Sequence, residues 1–184
     1  MKIYFNSPVV LTFSAISFLL VLLQHFGMSY YTNTFFTVPG NVLAFDFYNP
    51  IAYFRLVSHS MGHANWDHLI ANLTLILLLG PMLEEKYGSQ SLLIMMLITA
   101  LTTGLLNMML FPTGLLGASG VAFTFILLSS FANMRSGGIP LSFLIVACFF
   151  LGKEVLHATQ NNQISEFAHL CGGILGAVFG FIKR

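Results

Sequence analysis

The sequence predicts an all-α integral membrane protein with six transmembrane helices and both termini in the cytoplasm. Of the 184 residues, 57% are hydrophobic and only 7% are charged, whereas ordinary soluble domains have about 25% charged residues. The few charges divide the chain into apolar stretches, and about 20 apolar residues cross a bilayer as one helix. The basic residues are distributed unequally between the loops of the two sides, which indicates the orientation.

The first two spans follow from the positions of the charged residues. The predicted spans of a single transmembrane domain, residues 1–184, are 8–27, 67–83, 91–110, 117–134, 140–156 and 167–182. The first lies in the charge-free stretch 3–45, and no small-residue cleavage site follows it. We therefore interpret it as a retained helix rather than a signal peptide. The second span lies between Asp67 and Glu84.

Helix breakers separate the remaining four spans. The uncharged stretch 87–134 is long enough for two spans, and the sequence Phe-Pro-Thr-Gly at 111–114 divides it. The glycine-containing turn 135–138 and Pro140 precede the fifth span, and Lys183 follows the sixth. Since six spans of about 20 residues use most of the chain, no room is left for a soluble domain.

The loop charges predict the orientation of these spans. Five basic residues fall on the side of the termini: Lys2, Lys86, Arg135, Lys183 and Arg184. Two fall on the other side: Arg55 and Lys153. Because cytoplasmic loops are enriched in Lys and Arg, we expect both termini in the cytoplasm. The long loop 28–66 is then external, and its many aromatic residues suit a segment in the membrane interface.

Charge and cysteine content exclude several classes of function. The formal net charge of +1 gives no basic surface for a nucleic acid, so we expect no nucleic-acid partner. Cys148 and Cys171 lie in apolar stretches without metal-ligand spacing. A disulfide framework and a zinc site of thiolates are therefore excluded. The lipid bilayer is the expected environment.

Four polar residues lie at one predicted depth in the membrane. Spans two, four and six all run from the external to the cytoplasmic side, so their first turns lie at the same level. Those first turns contain His68 and Asn72, Ser119, and His169, respectively. Polar side chains within membrane spans are rare and mostly functional. Their convergence from three helices indicates a single site.

A serine and a histidine at one depth indicate nucleophilic catalysis. A serine hydroxyl needs a base within hydrogen-bond reach, and His169 is the candidate base for Ser119. Taken alone, Ser119 would be a helix N-cap and His169 an interfacial histidine. The spacing of Gly172, Gly176 and Gly180 gives span six a smooth face for close helix packing, which would bring the two residues together.

His68 and Asn72 are candidate oxyanion donors. They lie four residues apart and share one helix face. Both side chains can donate hydrogen bonds to a tetrahedral oxyanion. The alternative is a structural hydrogen bond between helices, which we would prefer if Ser119 and His169 were not expected at the same level.

Two further histidines invite a metal hypothesis. His59 and His63 also lie four residues apart, but no HExxH sequence occurs and no carboxylate is suitably spaced. We therefore expect no metal, and we expect these histidines to make structural hydrogen bonds that hold the external loop against span two. No span interior contains an aspartate, which argues against an aspartyl protease.

These residues resemble the motifs of the rhomboid intramembrane serine proteases, in their compact six-helix bacterial form. The matching motifs, in family order, are His59-x3-His63-x4-His68-x3-Asn72, Glu84-x-Lys86-x-Gly88, Gly117-Ala118-Ser119-Gly120 and Ala168-His169-x2-Gly172-x3-Gly176. Span number and topology match as well. The motifs cover the chain from about Arg55 to Gly180.

The resemblance implies a function and a location. Ser119 would be the nucleophile and His169 the general base, while His68, Asn72 and the backbone N–H of Ser119 would form the oxyanion hole. Substrates would be single-span membrane proteins cut in or near the external part of their span, with no cofactor or metal. The protein would lie in the bacterial inner (plasma) membrane with its active site open to the periplasm. Water would enter beneath the loop 157–165.

Three positions depart from the family pattern. The tyrosine one turn after the serine is Phe123, the usual Trp-Arg pair of the first external loop is Phe54-Arg55, and the Glu-x-Arg motif has Lys86 in place of its arginine. None of them removes a reacting group, so we expect activity, though weaker than is typical.

Three alternative functions remain open at this point. The first is a catalytically weak or inactive rhomboid-like protein that binds transmembrane clients. The second is a small transporter or channel, for which polar residues at mid-membrane depth would be expected. The third is a structural membrane protein, which leaves the converging polar residues unexplained. The sequence identifies neither the natural substrate nor the oligomeric state, and span five is our candidate for the substrate gate.

Overall fold

The protein is all-α, as its sequence predicts. The computed structural model describes residues 5–41, 45–131, 138–157 and 163–183. Its helices are α1 Pro8–Leu23, α2 Ser29–Phe36, α3 Pro50–Ser58, α4 Trp66–Tyr87, α5 Ser89–Leu110, α6 Ser119–Ser129, α7 Leu141–His157 and α8 Gln163–Ile182. The described residues contain no β-strand, and their one β-type contact is an isolated antiparallel bridge between Val38 and Leu115.

The long helices are apolar enough for a bilayer. Within the described residues, three segments have the length and hydropathy of a membrane-crossing helix: the kinked pair α1–α2 over Pro8–Phe36, α4 and α5. Shorter apolar helices are α6 and the part of α8 from Phe167 to Ile182. The number of six spans and the orientation stay predictions. Of the basic residues used for the orientation, Lys2, Arg135 and Arg184 lie outside the described residues.

A kink separates α1 from α2. Phe26 and Gly27 leave helical geometry, and Gly27 has φ +88°, a left-handed conformation that glycine adopts without a side-chain penalty. The predicted first span, 8–27, ends at this kink. The chain then continues into the external loop of the predicted topology.

Side chain to backbone bonds hold the two short helices of this loop together. The Arg55 guanidinium on α3 donates to the carbonyl of Thr34 on α2. One turn later, the Ser58 hydroxyl donates to the Phe35 carbonyl at 2.6 Å. Most of the aromatic side chains of the loop are exposed, among them Tyr30, Tyr31, Phe47, Tyr48, Tyr53 and Phe54. Exposed rings on two joined helices fit a segment in the membrane interface.

The buried Glu84 carboxylate joins three helices. Although it lies near the end of α4, its two oxygens accept hydrogen bonds from the backbone N–H groups of Val9 and Val10, each at 3.0 Å. The first N–H groups of a helix have no partner within the helix, and they favour a negative charge. The Ser89 hydroxyl at the start of α5 also donates to this carboxylate, at 2.7 Å.

Lys86 makes a second helix-end contact nearby. Its ammonium group donates to the carbonyl of Phe131, just past the end of α6, at 2.7 Å. A carbonyl oxygen needs only one donor, so a lysine can replace the arginine of the family motif here without losing this bond. Together, Glu84 and Lys86 tie the cytoplasmic end of α4, in the predicted orientation, to α1, α5 and α6.

Neutralising Glu84 is expected to lower stability. In Glu84→Gln the charge that faces the N-terminus of α1 is lost, and one acceptor oxygen becomes a donor that faces an N–H group. Since hydrogen bonds to charged groups contribute about 1.5–3 kcal/mol each, we expect unfolding to become easier by about 2 kcal/mol. Thermal unfolding in detergent measures this loss.

The neighbouring Glu85 is the matched control, because its side chain is exposed. Glu85→Gln should unfold at the temperature of the unmodified protein. Equal unfolding temperatures for Glu84→Gln and Glu85→Gln would contradict the assigned role of Glu84.

Candidate active site

A sharp backbone turn places Ser119 at the start of α6. Gly117 has φ +127°, in the left-handed region, and Ala118 precedes the first helical residue. A Cβ on Gly117 would lie 2.6 Å from Cε1 of His68 and 2.8 Å from its Nε2. Glycine is therefore required here both for the backbone angle and for the approach of the imidazole. Ser119 follows this turn, among the unpaired N–H groups of the helix start.

The turn before Ser119 is bonded to two histidines. The N–H of Gly117 donates to the backbone carbonyl of His59 at 2.9 Å, and the N–H of Ala118 donates to Nε2 of His63 at 3.4 Å. Nδ1 of His63 is 3.1 Å from the carbonyl of Met61, to which it must donate. These partners assign His63 the neutral tautomer with its proton on Nδ1.

His59 makes its side-chain bond in a different direction. Its Nε2 donates to the carbonyl of Ala100 on α5 at 3.0 Å. We expected His59 and His63 to hold the external loop against span two, but their bonds instead join this segment to α5 and to the turn before Ser119. The physical reason is that the unpaired carbonyl and N–H groups of those backbones supply the partners, and sequence spacing does not identify such groups.

Burial keeps both histidines neutral near pH 7. Desolvation lowers the pKa of His59 from 6.5 to about 4, although its bond to the Ala100 carbonyl acts in the opposite direction. Desolvation, and secondly the neighbouring charge of His68, lowers the pKa of His63 from 6.5 to about 4. A neutral His63 can accept from Ala118, which the doubly protonated ring cannot do.

His68 and Asn72 lie on one face of α4, as their spacing predicts. The helix begins just before them, where the Asn65 side chain accepts from the N–H of His68 at 2.9 Å. The His68 ring lies against Gly117, and its centre is 5.1 Å from that of His63. Asn72 is only 6% exposed, and its Nδ2 has no hydrogen-bond partner among the described residues.

The helices that contain Ser119 and His169 pack backbone to backbone. A Cβ on Gly172 would lie 2.1 Å from the carbonyl oxygen of Gly120, and one on Gly120 would lie 3.5 Å from the carbonyl oxygen of Ala168. Gly120 follows Ser119 and Ala168 precedes His169. The structure therefore brings the first turn of α6 against the first half of α8, the part that contains His169.

Phe123 lies over the half-buried ring of His169. The ring centres are 4.2 Å apart and the planes are inclined by 33°, a close tilted arrangement that restricts the plane of the imidazole. Phe123 thus contacts the histidine ring although it lacks the hydroxyl of the tyrosine in the family pattern.

Several buried threonines were not singled out from the sequence. Thr99, Thr103 and Thr124 are buried where α5, α6 and α8 meet. The available signal was their occurrence inside apolar helices, where polar residues need partners.

Within the described ranges no group of three His, Cys, Asp or Glu side chains could hold a metal ion. The expected absence of a metal stays a prediction.

Fold and site together define a helical membrane protein with a serine and a histidine on two closely packed helices. The family model "Rhomboid domain" matches residues 51–184. The chain therefore belongs to the rhomboid family. The chain is also similar, at 24% identity over 131 residues, to the Rhomboid protease GlpG of Haemophilus influenzae, with 70% of this chain and 68% of that protein covered.

Two plant proteins are similar over more of the chain. Rhomboid-like protein 11, chloroplastic, of Arabidopsis thaliana is 25% identical over 174 residues, which cover 86% of this chain and 62% of that protein. RHOMBOID-like protein 12, mitochondrial, of the same plant is 24% identical over 171 residues, covering 79% of this chain and 51% of that protein. The chain thus spans only part of the length of these relatives.

The lowered pKa values of His59 and His63 predict that the folded protein loses stability at acidic pH. An unfolded histidine has a pKa near 6.5, whereas His59 and His63 have pKa values of about 4 in the folded protein. Between these values the unfolded chain binds more protons, so stability is full above pH 6.5 and falls as the pH is lowered toward 4. The slope is at most about 1.4 kcal/mol per pH unit for each histidine. Thermal unfolding in detergent from pH 7.5 to 4.5 measures it.

His59→Gln removes one of these two histidines and should flatten this pH dependence, even if it lowers stability at every pH. If stability falls equally steeply with pH in His59→Gln and in the unmodified protein, the pH dependence does not come from the buried His59.

Proposed function

We propose that the protein is an intramembrane serine endopeptidase with Ser119 as nucleophile and His169 as general base. The observation that supports this most directly is the backbone contact of α6 with α8, which brings the neighbours of these two residues together. The Phe123 ring over His169 adds a fixed plane for the base. Membership of the rhomboid family supports protease chemistry of this kind.

The proposed reaction begins with proton transfer from the Ser119 hydroxyl to His169. The serine oxygen then bonds to the carbonyl carbon of the substrate, whose oxygen becomes negatively charged. When this intermediate collapses, the C–N bond breaks and the leaving amine takes the proton from His169. Water, deprotonated by His169, then attacks the acyl-enzyme, which releases the acid product and restores the serine.

His68, Asn72 and the backbone N–H of Ser119 are proposed to bind the oxyanion. Support comes from the buried Nδ2 of Asn72, which has no partner among the described residues, and from the His68 ring, which lies against the turn before Ser119. Donors fixed in advance stabilise the charge without reorganising during the reaction. The start of α6 contributes unpaired N–H groups that favour the same charge.

The proposed membrane arrangement has six spans, cytoplasmic termini and a site near the external face. The long apolar helices support a multi-pass protein. We propose the bacterial inner membrane as the location, with the site open to the periplasm, because of the compact six-span pattern; the two plant relatives have organellar names. The loop 157–165, proposed for water entry, lies largely outside the described residues.

Single-span membrane proteins are the proposed substrates, and α7 is the proposed gate. Phe143 on α7 packs against Phe131 at 4.6 Å and against Phe181 at 5.7 Å between ring centres. Leu141, Leu144, Ile145 and Phe149 of the same helix are exposed. A helix with so few buried side chains on its described part costs little to displace.

Cleavage by the purified protein tests the mechanism. We expect a single-span substrate in liposomes to be cut by the unmodified protein, but not by Ser119→Ala or His169→Ala, and a chelator should have no effect. Cleavage that survives in Ser119→Ala would contradict the mechanism. If the folded, unmodified protein binds several such substrates without cutting any, the alternative of an inactive client-binding rhomboid-like protein would be favoured.

Removing the Asn72 amide tests the oxyanion hole. Loss of one oxyanion donor costs about 100- to 1000-fold in kcat, so Asn72→Leu should lose about that much with little change in KM. Because Nδ2 has no partner among the described residues, the substitution should not destabilise the fold, since an unsatisfied buried donor is removed. Steady-state kinetics and thermal unfolding measure the two effects. A stability loss with unchanged kcat would instead indicate a structural role.

A further inference from the structure

A buried threonine links the helices of the two proposed reacting groups. Thr124 on α6 is completely buried, and its hydroxyl oxygen lies 2.9 Å from the carbonyl oxygen of Gly172 on α8. The same oxygen is 3.2 Å from the hydroxyl of Thr99 on α5 and 3.0 Å from the carbonyl of Gly120 within α6. The Thr124 hydroxyl therefore lies where three helices meet.

The proton count allows the bond between the helices, with the Gly120 carbonyl as the other acceptor within reach of the same proton. A threonine hydroxyl has one proton to donate and two lone pairs that accept. If Thr99 donates to Thr124, then Thr124 can donate to Gly172, and both hydroxyls are satisfied across the three helices. The neighbouring Thr103 donates within α5, to the carbonyls of Thr99 and Ala100 at 2.9 and 3.0 Å, so it does not compete for the Thr124 oxygen.

The glycine contacts bring the backbones of the two helices close together. A Cβ on Gly172 would lie 2.1 Å from the Gly120 oxygen, and one on Gly176 would lie 2.4 Å from the Thr124 oxygen. Where backbone meets backbone, as at Gly172, the surfaces can still slide along each other, whereas the Leu127 and Phe131 side chains lie against Gly176 and Gly180 farther along α8. A directional hydrogen bond at one point opposes that sliding.

The position of this bond relates it to the proposed site. Thr124 is five residues after Ser119, and Gly172 is three residues after His169, so the bond lies about one helix turn from both. A shift of α8 by a fraction of a turn would move His169 relative to Ser119 by more than hydrogen-bond geometry tolerates.

We propose that the Thr124 hydroxyl is a positioning group that sets the axial register of His169 against Ser119. The proposal rests on the proposed function, since it assigns to Thr124 an effect on the reaction of those two residues. In this proposed role Thr124 contacts neither the substrate nor the reacting atoms. It acts through the helix bond to Gly172.

Three substitutions distinguish the effect of the Thr124 hydroxyl from the effect of the side-chain shape. Thr124→Val keeps the shape and removes the hydroxyl, and Thr124→Ser keeps the hydroxyl and removes a methyl group. Thr74→Val is the matched control, because the exposed Thr74 hydroxyl on α4 bonds only within its own helix, to the carbonyl of Ile70 at 2.7 Å.

The first measurement is the rate at which a fluorophosphonate labels Ser119, together with kcat and KM for a single-span substrate. Misplacement by a fraction of an ångström to one ångström costs about 10- to 100-fold. We expect Thr124→Val to lose about that much in labelling rate and in kcat, with KM within about twofold. Thr124→Ser should restore most of the rate, and Thr74→Val should match the unmodified protein.

A purely structural role would give a different result. It would lower the unfolding temperature in Thr124→Val while the folded fraction kept the full labelling rate. That outcome, or a Thr124→Ser variant as slow as Thr124→Val, would overturn the proposal but leave the proposed protease function intact. An unmodified protein that neither labels nor cleaves would contradict the protease function instead.

A second measurement tests the register without any enzymatic activity. Ser119→Cys with His169→Cys, in a chain with Cys148→Ala and Cys171→Ala, is treated with a short bifunctional thiol reagent. We expect the cross-linking rate to fall when Thr124→Val is added and to recover with Thr124→Ser. An unchanged rate in Thr124→Val would overturn the proposal whether or not the protein is a protease.

Discussion

The arrangement of the site depends on the backbone contact between α6 and α8. In a bilayer no hydrophobic force drives helices together, so close packing and interhelical hydrogen bonds must do so. The contact requires glycine at 172, because a Cβ there would lie 2.1 Å from the Gly120 carbonyl oxygen. It brings the neighbours of the proposed nucleophile and of the proposed base together, and it lies beside the bond from Thr124 to α8.

The turn that precedes Ser119 is held from outside its own helix. Gly117 and Ala118 donate to His59 and His63, and Val38 and Leu115 exchange both backbone bonds of their bridge, at 3.0 and 2.9 Å. These bonds satisfy backbone groups of segments that lie outside the helices and so have no helix partners. The loop 28–66 thus stabilises the turn before Ser119, and the low pKa values of the two histidines follow from the burial that this arrangement requires.

Stability and the proposed activity make opposite demands on Asn72. A buried amide donor without a partner costs free energy in the folded state, yet a donor reserved for a transient oxyanion must be unpaired until the reaction occurs. Glu84, at the other end of α4, has both carboxylate oxygens occupied by α1 and α5. Helix α4 therefore contains a carboxylate whose oxygens are both hydrogen-bonded and, in the proposed site, an amide nitrogen without a partner among the described residues.

The membrane class, the all-α fold and the family could be predicted from the sequence alone, because composition, charge spacing and the motifs around Ser119 and His169 are properties of single segments. It also indicated that His68 and Asn72 share one helix face, since that follows from a spacing of four. Only the tertiary structure decided the partners of Glu84, His59, His63 and Thr124. Most of those partners are backbone N–H and carbonyl groups of distant segments, which every residue type offers alike, so their pairing depends on the relative depth and rotation of whole helices.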